Sequence, residues 1–300
     1  MAALKNSLLA IGFAVSCANA TVAQDKPSVV AVHKALYDFA EHLLEDDADV
    51  VFPIPAGVDP SFWRPAIADI SLIQSADLIL LNGAGFATWV DRVSLPRSRL
   101  VNTSTGIKDQ FIVTKSITHS HGDGGEHSHE GIATYTWLDP ILAIAQAEAV
   151  ASAAIGRNLA PSDTIEARLE LLRSKLTELD TTTQEKLSDA KGIAMIATHP
   201  RYQYFARRYS LSISSLEWEA GAMPTKEQLA ELESLANDLG ARVLIWEAEP
   251  PRDAVVAAEA LGLKSVVFDP FASESPFDTY ADAFSSAVSG IADAVNGMAN

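Results

Sequence analysis

The distribution of apolar residues predicts a protein built from short buried strands that alternate with helices. In the first half of the chain, apolar runs at residues 28–32, 49–54 and 77–81 alternate with segments of helical spacing at residues 34–44 and 65–76. Each run is apolar nearly throughout and too short for a helix, which is typical of strands buried on both faces of a parallel sheet. We therefore predict that this half forms an α/β lobe.

The same alternation starts again in the second half of the chain. Four further apolar runs predict strands at residues 192–197, 211–216, 242–246 and 265–268. Segments with helical spacing separate them, as at residues 226–239 and 252–261. The predicted fold class is therefore α/β, with two Rossmann-like lobes whose mainly parallel sheets are flanked by helices.

A single apolar stripe predicts one long helix between the two lobes. Its members recur every three or four residues, at Ile165, Leu169, Leu172, Leu176 and Leu179. No glycine or proline interrupts residues 162–190, and Asp163 followed three positions later by Glu166 fits a capping box at the helix start. We predict a rigid helix over residues 162–190 that joins the lobes and restricts their movement.

The first 23 residues have the composition of a secretory signal. Lys5 precedes an apolar run at residues 8–15 that is too short to span a bilayer, and small residues follow where a signal peptidase cuts. Cys17 is a candidate lipid-attachment site. Ala14 stands where a bulkier aliphatic residue is usual, so we favour plain cleavage and export to the periplasm.

Cysteine content and charge narrow the environment and the partners. Cys17 is the only cysteine, so the mature chain has no disulfide, which fits a bacterial periplasmic protein with a core large enough to be stable without one. The formal net charge of −17 disfavours nucleic acid as a partner and is compatible with a protein that binds cations. We divide the chain into a signal peptide, an N-terminal lobe, an interlobe helix and a C-terminal lobe, at residues 1–23, 24–161, 162–190 and 191–300.

A histidine-rich segment lies within the N-terminal lobe at residues 119–129. It carries four of the seven histidines of the chain, His119, His121, His127 and His129, among Gly, Asp and Glu. Imidazole is a common zinc ligand, and the glycines let the backbone wrap an ion. The alternative interpretation is a solvated loop that binds metal only incidentally.

Two further candidate ligands follow strands of the C-terminal lobe. His199 comes after the run at residues 192–197, Asp269 comes after the run at residues 265–268, and each directly precedes a proline. Ligands of open α/β sheets bind at the carboxyl ends of the strands. We therefore expect both side chains at one edge of the second sheet, facing the cleft between the lobes.

Other charged residues near strand ends have more ordinary interpretations. Four acidic residues follow strand ends and could reach the cleft between the lobes, Glu217, Glu219, Glu247 and Glu249. Acidic residues at such positions are more often solvated or cap the next helix, and we favour this interpretation. Arg201 is interpreted as part of the charged outer face of a helix that begins at Pro200, with a contact to an anion or the permease as the alternative.

Five short motifs together resemble one protein family. They are Gly-Val-Asp-Pro at residues 57–60, Ala-Asp leading to Asn-Gly within residues 76–83, Trp-Leu-Asp-Pro at residues 137–140, Thr-His-Pro at residues 198–200 and Asp-Pro at residues 269–270. In this order and separation they resemble the solute-binding proteins of zinc and manganese ABC transporters, the cluster A-I or TroA-like family. The resemblance runs from the signal peptide nearly to the C-terminus. It implies capture of a divalent ion between two lobes and delivery to a permease in the inner membrane.

Two positions depart from the pattern of that family. Its members normally take one metal ligand from each of four loops, but Ser61 and Tyr135 stand where histidines are usual. The resemblance leaves His199 and Asp269 as the two ligands in the expected places. A serine hydroxyl and a neutral tyrosine are poor zinc ligands, and two ligands do not complete a four-coordinate site.

Three explanations of the changed positions remain open. The first, which we favour, is that the histidine-rich segment supplies the missing zinc ligands, because many zinc-binding members of the family carry such an insertion just before Trp-Leu-Asp-Pro. The second is that Tyr135 ionises beside Fe³⁺ or Mn²⁺, with His199 and Asp269 completing the set. The third is that the cleft has lost tight metal binding and recognises another ligand.

The function predicted from these observations is periplasmic capture of Zn²⁺ by a monomer that serves an ABC permease. Among residues 1–300 no nucleophile elbow, phosphate-binding loop or His-Glu-x-x-His motif occurs, so we predict that the chain is not an enzyme. A metallohydrolase built on the histidines is the weaker alternative, because a glycine-rich loop does not hold an open metal position rigidly. A metallochaperone or metal buffer without transport is a further alternative.

Overall fold

The computed structural model describes residues 26–114 and 131–298 and contains two four-stranded parallel sheets in these ranges. The strands of the first sheet are Ser28–Ala31 (β1), Asp49–Val51 (β2), Leu78–Leu81 (β3) and Leu100–Asn102 (β4). Two strands of a short antiparallel ribbon follow, Val113–Thr114 (β5) and Gly131–Ile132 (β6). The strands of the second sheet are Ala194–Ala197 (β7), Ser212–Ser215 (β8), Val243–Trp246 (β9) and Lys264–Val267 (β10).

The two sheets have the same topology. The first has the order β2-β1-β3-β4 and the second the order β8-β7-β9-β10, so each places its strands as second, first, third and fourth in chain order. Every strand pairing in both sheets is parallel. The predicted fold class, α/β with two Rossmann-like lobes, is therefore confirmed.

The sequence pattern found seven of these eight sheet strands and missed β4. This strand has three residues at the sheet edge, none of them fully buried, and it ends in an asparagine, so it carries no continuous apolar run. At the opposite edge β2 is shorter than the predicted run at residues 49–54. It stops at Val51, two residues before Pro53, which has no backbone N–H to donate to a neighbouring strand.

The helices cover both faces of the sheets. Their bounds are Lys34–Leu44 (α1), Ile67–Ser75 (α2), Pro140–Gly156 (α3), Ser162–Lys186 (α4), Gln203–Tyr209 (α5), Lys226–Leu239 (α6), Arg252–Ala260 (α7) and Tyr280–Asn296 (α8). Each helix arises from local signals, as in α6, where Thr225 and Gln228 form a capping box and Gly240 ends the helix with a positive φ of 63°. Within the two described ranges, none of these helices combines the length and the apolar character needed to cross a bilayer.

The long helix between the sheets is confirmed, with two differences from its predicted form. It begins at Ser162 and ends at Lys186, and a separate 3₁₀ turn covers Ser188–Ala190. Pro161 is the N-cap residue and Asp163 lies inside the first turn, so the predicted capping box of Asp163 and Glu166 is wrong. The predicted stripe does face the core: four of its members are buried and Leu169 packs beside them. α4 is therefore a packed helix that contacts α1, α3 and α8 along its length.

The segment after β10 provides a second connection between the halves. The backbone N–H groups of Lys34 and Ala35, at the start of α1, donate to the carbonyls of Ala272 and Phe271 at 2.8 and 3.1 Å. The indole N–H of Trp137 donates to the carbonyl of Pro270 at 2.7 Å. These bonds join the end of the second sheet directly to the first lobe, so α4 is not the sole link.

Candidate metal centre

The polar residues of this centre come from the carboxyl ends of both sheets. We call the space that they line the interlobe cleft. Asp59 and Ser61 follow β2, and Tyr135 precedes the turn that leads into α3. The second sheet contributes residues after three of its strands, His199 and Arg201 after β7, Glu247 after β9 and Asp269 after β10. Ligands bind at this edge in open α/β sheets, and here two such edges meet.

Arg201 lies at the centre of this group. Only 6% of the residue is exposed, and its Nη2 atom pairs with Asp59 while its Nε donates to Glu247 Oε1 at 3.1 Å. The guanidinium carbon stands 4.5 Å from the centroid of the Tyr135 ring. The interpretation of Arg201 as part of an outer helix face is wrong, because α5 begins only at Gln203 and Arg201 belongs to the loop at the strand end.

Only 11% of the Glu247 side chain is exposed in the interlobe cleft, so its favoured interpretation as a solvated or capping residue is wrong. Its backbone N–H donates to Thr198 Oγ1 at 3.3 Å. Burial raises the pKa of its carboxyl, and the Arg201 guanidinium opposes that rise. In the described part of the chain its Oε2 atom has no hydrogen-bond partner, although His199 Nδ1 lies 3.2 Å away. The three other acidic residues interpreted in the same way are exposed as expected, Glu217, Glu219 and Glu249.

His199 presents a neutral imidazole with one nitrogen prepared to accept a metal. Its Nδ1 lies 3.0 Å from the Trp218 carbonyl, and a bond to a carbonyl requires the proton on Nδ1. The lone pair is therefore on Nε2. Burial and the charge of Arg201 lower the pKa of His199 to about 4, so the ring stays neutral at the pH of most bacterial surroundings.

Asp269 is engaged by its own loop. Its Oδ1 accepts the backbone N–H of Phe271 at 2.8 Å and its Oδ2 accepts the hydroxyl of Ser275 at 2.6 Å. Burial raises the pKa of this carboxyl, and these two hydrogen bonds oppose the rise. Within residues 26–114 and 131–298 no three His, Cys, Asp or Glu side chains approach closely enough to hold one metal ion. His199 and Asp269 thus occupy the strand ends predicted for them without forming a complete ligand set.

Ser61 and Tyr135, which stand where the resemblance leads us to expect histidines, have different surroundings. Ser61 donates both its hydroxyl and its backbone N–H to Asp59 Oδ1, at 2.6 and 2.8 Å, so it orients that carboxylate. Tyr135 is 1% exposed, and its hydroxyl has no hydrogen-bond partner within residues 26–114 and 131–298. Burial raises the pKa of Tyr135 well above its ordinary value, and Arg201 opposes this effect, so the side chain is a neutral phenol.

A buried polar network fixes the loop that carries Tyr135. Asn82 Nδ2 donates to the carbonyl of Thr134 at 2.8 Å, and Asn82 Oδ1 accepts from Thr136 Oγ1 at 3.1 Å. Gln146 Nε2, from α3, also donates to Asn82 Oδ1 at 2.9 Å. The residues on both sides of Tyr135 are therefore bonded to the carboxyl end of β3.

The four histidines of the segment at residues 119–129 lie outside the described residues, and their predicted role as ligands stays a prediction. The ends of the surrounding stretch are described. Tyr204, on α5, accepts the backbone N–H of Ile112 at 3.2 Å and donates to the carbonyl of Ala133 at 3.0 Å. The start of β5 and the end of β6 thus lie beside α5, the helix that follows Arg201.

Sequence reasoning missed Asp59 and Arg201 as members of the centre and treated Glu247 as a less favoured candidate. Asp59 lies in the Gly-Val-Asp-Pro motif at residues 57–60, and Arg201 stands two positions after His199. Glu247 directly follows β9, a strand that the sequence predicts. The position at a strand end was therefore a usable signal for all three. What the chain order did not show is that they contact one another.

Two α/β lobes whose facing sheet edges enclose a polar cleft define a bilobal ligand-binding protein. The family model described as "ZnuA: Zinc-uptake complex component A periplasmic" matches residues 29–294. The chain belongs to this family, and the resemblance seen in its motifs is confirmed.

Curated relatives are similar over most of the chain. The zinc-binding lipoprotein AdcA of Streptococcus pneumoniae strain R6 is 28% identical over 279 residues, which is 90% of this chain and 55% of the relative. The high-affinity zinc uptake system protein ZnuA of Bacillus subtilis is 27% identical over 242 residues, 74% of this chain and 71% of the relative. The chain spans about half the length of the AdcA relatives that it matches.

Solved structures share the fold. The zinc-bound ZnuA-like domain of Streptococcus pneumoniae AdcA gives a TM-score of 0.75 at 20% identity, covering 90% of this chain and 99% of that domain. The metal-dependent lipoprotein YcdH of Bacillus subtilis gives 0.73 at 22% identity, covering 89% and 98%. The solute-binding protein FpvC of Pseudomonas aeruginosa, solved with Mn²⁺, gives 0.73 at 17% identity, covering 91% and 100%.

Proposed function

We propose that this chain is a periplasmic solute-binding protein that captures Zn²⁺ in the interlobe cleft and delivers it to an ABC permease. The observation that carries the proposal is that the interlobe cleft already encloses a buried positive charge between carboxylates of opposite halves, Asp59 and Glu247. A pocket that stabilises a guanidinium in this way has the electrostatic character that a divalent cation needs. Family membership and the zinc in the names of its relatives favour zinc as the first candidate.

The donor atoms of the interlobe cleft suit a borderline cation. His199 offers a neutral Nε2, and Glu247 and Asp269 offer carboxylate oxygens from the same sheet. Asp59 adds a carboxylate from the other half. Zinc accepts nitrogen and oxygen ligands of these kinds, whereas Mn²⁺ would use mainly the oxygens. We propose that histidines of the segment at residues 119–129 complete the zinc site.

The decisive variant removes those histidines while keeping the cleft intact. We expect simultaneous replacement of His119, His121, His127 and His129 by Ala to abolish tight zinc binding, and His199→Ala to do the same, because each change leaves an incomplete tetrahedral ligand set. Competition titration of the metal-free protein against a zinc chelator measures the affinities. His42→Ala, on α1, is the matched control and should bind as the wild type does.

The same titration separates the alternatives. If the quadruple variant binds zinc as tightly as the wild type and loads more slowly, the histidine-rich segment only collects ions and the proposal that it completes the site is wrong. If Tyr135→Phe is the more damaging change and the wild type shows a visible charge-transfer band with ferric citrate, the cargo is iron bound through tyrosinate. Zinc binding confined to residues 119–129, with His199→Ala harmless, would instead indicate a metal buffer.

Delivery to a permease is tested in cells. A bacterium that depends on this protein for zinc should stop growing in chelator-treated medium when the gene is removed, and it should recover with wild-type protein or added zinc. The His199→Ala protein should not restore growth if the cleft loads the transporter. Restoration by His199→Ala would show that the interlobe cleft is not the transport site. We assign no catalytic role, in line with the names of the relatives.

A further inference from the structure

The positive charge in the interlobe cleft is the guanidinium of Arg201. Arg201 uses its Nη2 for Asp59 and its Nε for Glu247, so one side chain neutralises a carboxylate from each half. The two carboxylates lie 142 and 46 residues away from Arg201 along the chain. A buried guanidinium in such a position is costly to desolvate, and an ordinary core would be built more simply from apolar side chains.

The arginine leaves part of the polar surface around it unsatisfied. Among the described residues, two buried atoms beside Arg201 have no hydrogen-bond partner, Glu247 Oε2 and the hydroxyl of Tyr135, although His199 Nδ1 lies 3.2 Å from Oε2. Most buried polar atoms are bonded, so these two atoms are available to another group in a different state of the protein. Both atoms belong to side chains that already contact Arg201.

We propose that Arg201 is a tethered competitor of the cargo ion, holding Asp59 and Glu247 in the metal-free protein and leaving them when a divalent ion binds. The inference rests on the proposed function and adds a regulation of the same site. A guanidinium and a divalent cation that share two carboxylates repel each other strongly at this depth, so only one of them occupies the site at a time. The affinity for the cargo is therefore set partly by the arginine that must be displaced.

Displacement is a movement of the Arg201 side chain alone. The backbone N–H of Arg201 donates to the carbonyl of His199 at 2.9 Å, so both residues belong to one loop. In the displaced state the guanidinium would leave the two carboxylates while His199 keeps its contact with the Trp218 carbonyl and its lone pair on Nε2. Glu247 then has two oxygens to offer and the Tyr135 hydroxyl gains a neighbour. This exchange would weaken capture and favour release, because the arginine replaces the departing ion.

The test compares zinc affinity in the full chain carrying Arg201→Met with that of the wild type. Removing the competing charge should tighten zinc binding at least about tenfold in competition titrations. Arg201→Lys keeps the charge and should stay within about threefold of the wild type. Arg64→Met is the matched control, since Arg64 has the same charge on an exposed side chain near Ser61, and it should leave the affinity unchanged.

A double variant tests whether the gain in zinc affinity depends on the carboxylate of Glu247. Adding Glu247→Gln to Arg201→Met should remove the increase in affinity, because the carboxylate that the arginine releases would no longer be available. If Arg201→Met binds zinc no more tightly than the wild type, the inference is overturned while the proposed function stands. If the wild type does not bind but Arg201→Met does, the inference holds and the proposed function fails for the natural protein. Absence of binding in both overturns both.

A wild-type measurement covers the case in which Arg201→Met does not fold. The Nε–H of Arg201 is buried and bonded to Glu247, so it should give a slowly exchanging signal in a nitrogen-15 NMR spectrum of the metal-free protein. The signal is assigned by its loss in Arg201→Lys. Saturating zinc should shift it and speed its exchange with solvent. A signal that stays unchanged at saturation contradicts displacement.

Discussion

At the scale of single residues, the best-supported structural role in the cleft wall belongs to Gly83. Its φ of +79° lies in the left-handed region, and a Cβ atom built on it would stand 2.0 Å from Asn102 Oδ1. It directly follows Asn82, whose amide holds the loop of Tyr135. Asn-Gly at the end of β3 therefore couples a tight turn to the network that positions a candidate ligand.

We expect Gly83→Ala to destabilise the protein by about 3 kcal/mol, because the new Cβ combines left-handed backbone strain with a direct clash. Gly85→Ala is the matched control. Gly85 has a similar φ of +76° but nothing within 4 Å of an added Cβ, so it should cost only about 1 kcal/mol. Urea denaturation of both variants measures the difference. Equal losses would mean that the contact with Asn102 relaxes freely.

At the scale of elements, the long helix is tied to the second lobe by a partly buried ion pair. Asp180 of α4 accepts from Nε and Nη2 of Arg208 on α5, at 2.8 and 2.5 Å, and from the hydroxyl of Tyr209 at 3.0 Å. Burial raises the pKa of Asp180, but these hydrogen bonds outweigh it and hold the pKa below its ordinary value. α5 follows the loop of His199 and Arg201, so this pair connects α4 to the candidate site.

We expect Asp180→Asn to destabilise the protein by about 1–3 kcal/mol, since it removes the bidentate carboxylate partner of a partly buried arginine and leaves Asp139, 3.9 Å from its Nε, as a more distant counter-charge. Glu170→Gln on the same helix is the matched control. Glu170 pairs with Arg173 on an exposed face, and pairs of that kind contribute less than about 1 kcal/mol. Thermal and urea unfolding check both values. A harmless Asp180→Asn would show that apolar packing alone holds α5 on α4.

At the scale of the whole molecule, the two halves meet through aromatic and backbone contacts beside the cleft. His33 is fully buried, stacks on Trp137 at a centroid distance of 4.0 Å and accepts the Leu36 N–H at the start of α1. Trp137 in turn donates to the carbonyl of Pro270. Burial lowers the pKa of His33 to about 3, so this junction depends on a neutral ring.

We expect acid to weaken the whole fold through His33. The unfolded chain takes up a proton on this group near its ordinary pKa of 6.5, while the folded protein resists until about 3. Stability from this residue is therefore complete above pH 6.5 and falls by about 1.4 kcal/mol per pH unit below it, or about 3 kcal/mol by pH 4. Burial raises the pKa of the Asp38 carboxyl to about 6. Buried carboxyl groups of this kind add stability as the pH falls, so they act against the effect of His33.

The variant His33→Asn isolates this effect, because asparagine keeps a cap acceptor and does not titrate. Its free energy of unfolding should lie below that of the wild type at pH 7 and approach it as the pH falls to 4. Urea titrations at half-unit pH intervals measure both curves. Parallel curves over this range would show that His33 does not remain neutral in the folded protein.

The sequence by itself determined most of the elements of this protein. Apolar runs of four to six residues located seven sheet strands, and the stripe from Ile165 to Leu179 located α4, because burial of one face leaves a local periodic trace. β4 left no such trace, being short and half-exposed at an edge. The start of α4 was misjudged because a capping box is one of several ways to begin a helix, and here Pro161 fills the position.

Only the tertiary structure decided which polar residues meet in the cleft. His199 and Asp269 were found because each follows an apolar strand, a property that chain order records. Asp59, Arg201 and Glu247 follow strands too, but their contact depends on how two sheets are placed against each other by α4 and by the bonds from Phe271 and Ala272 to α1. Charge interactions act through space and leave no period in the sequence, which is why a solvent-facing interpretation of Arg201 failed.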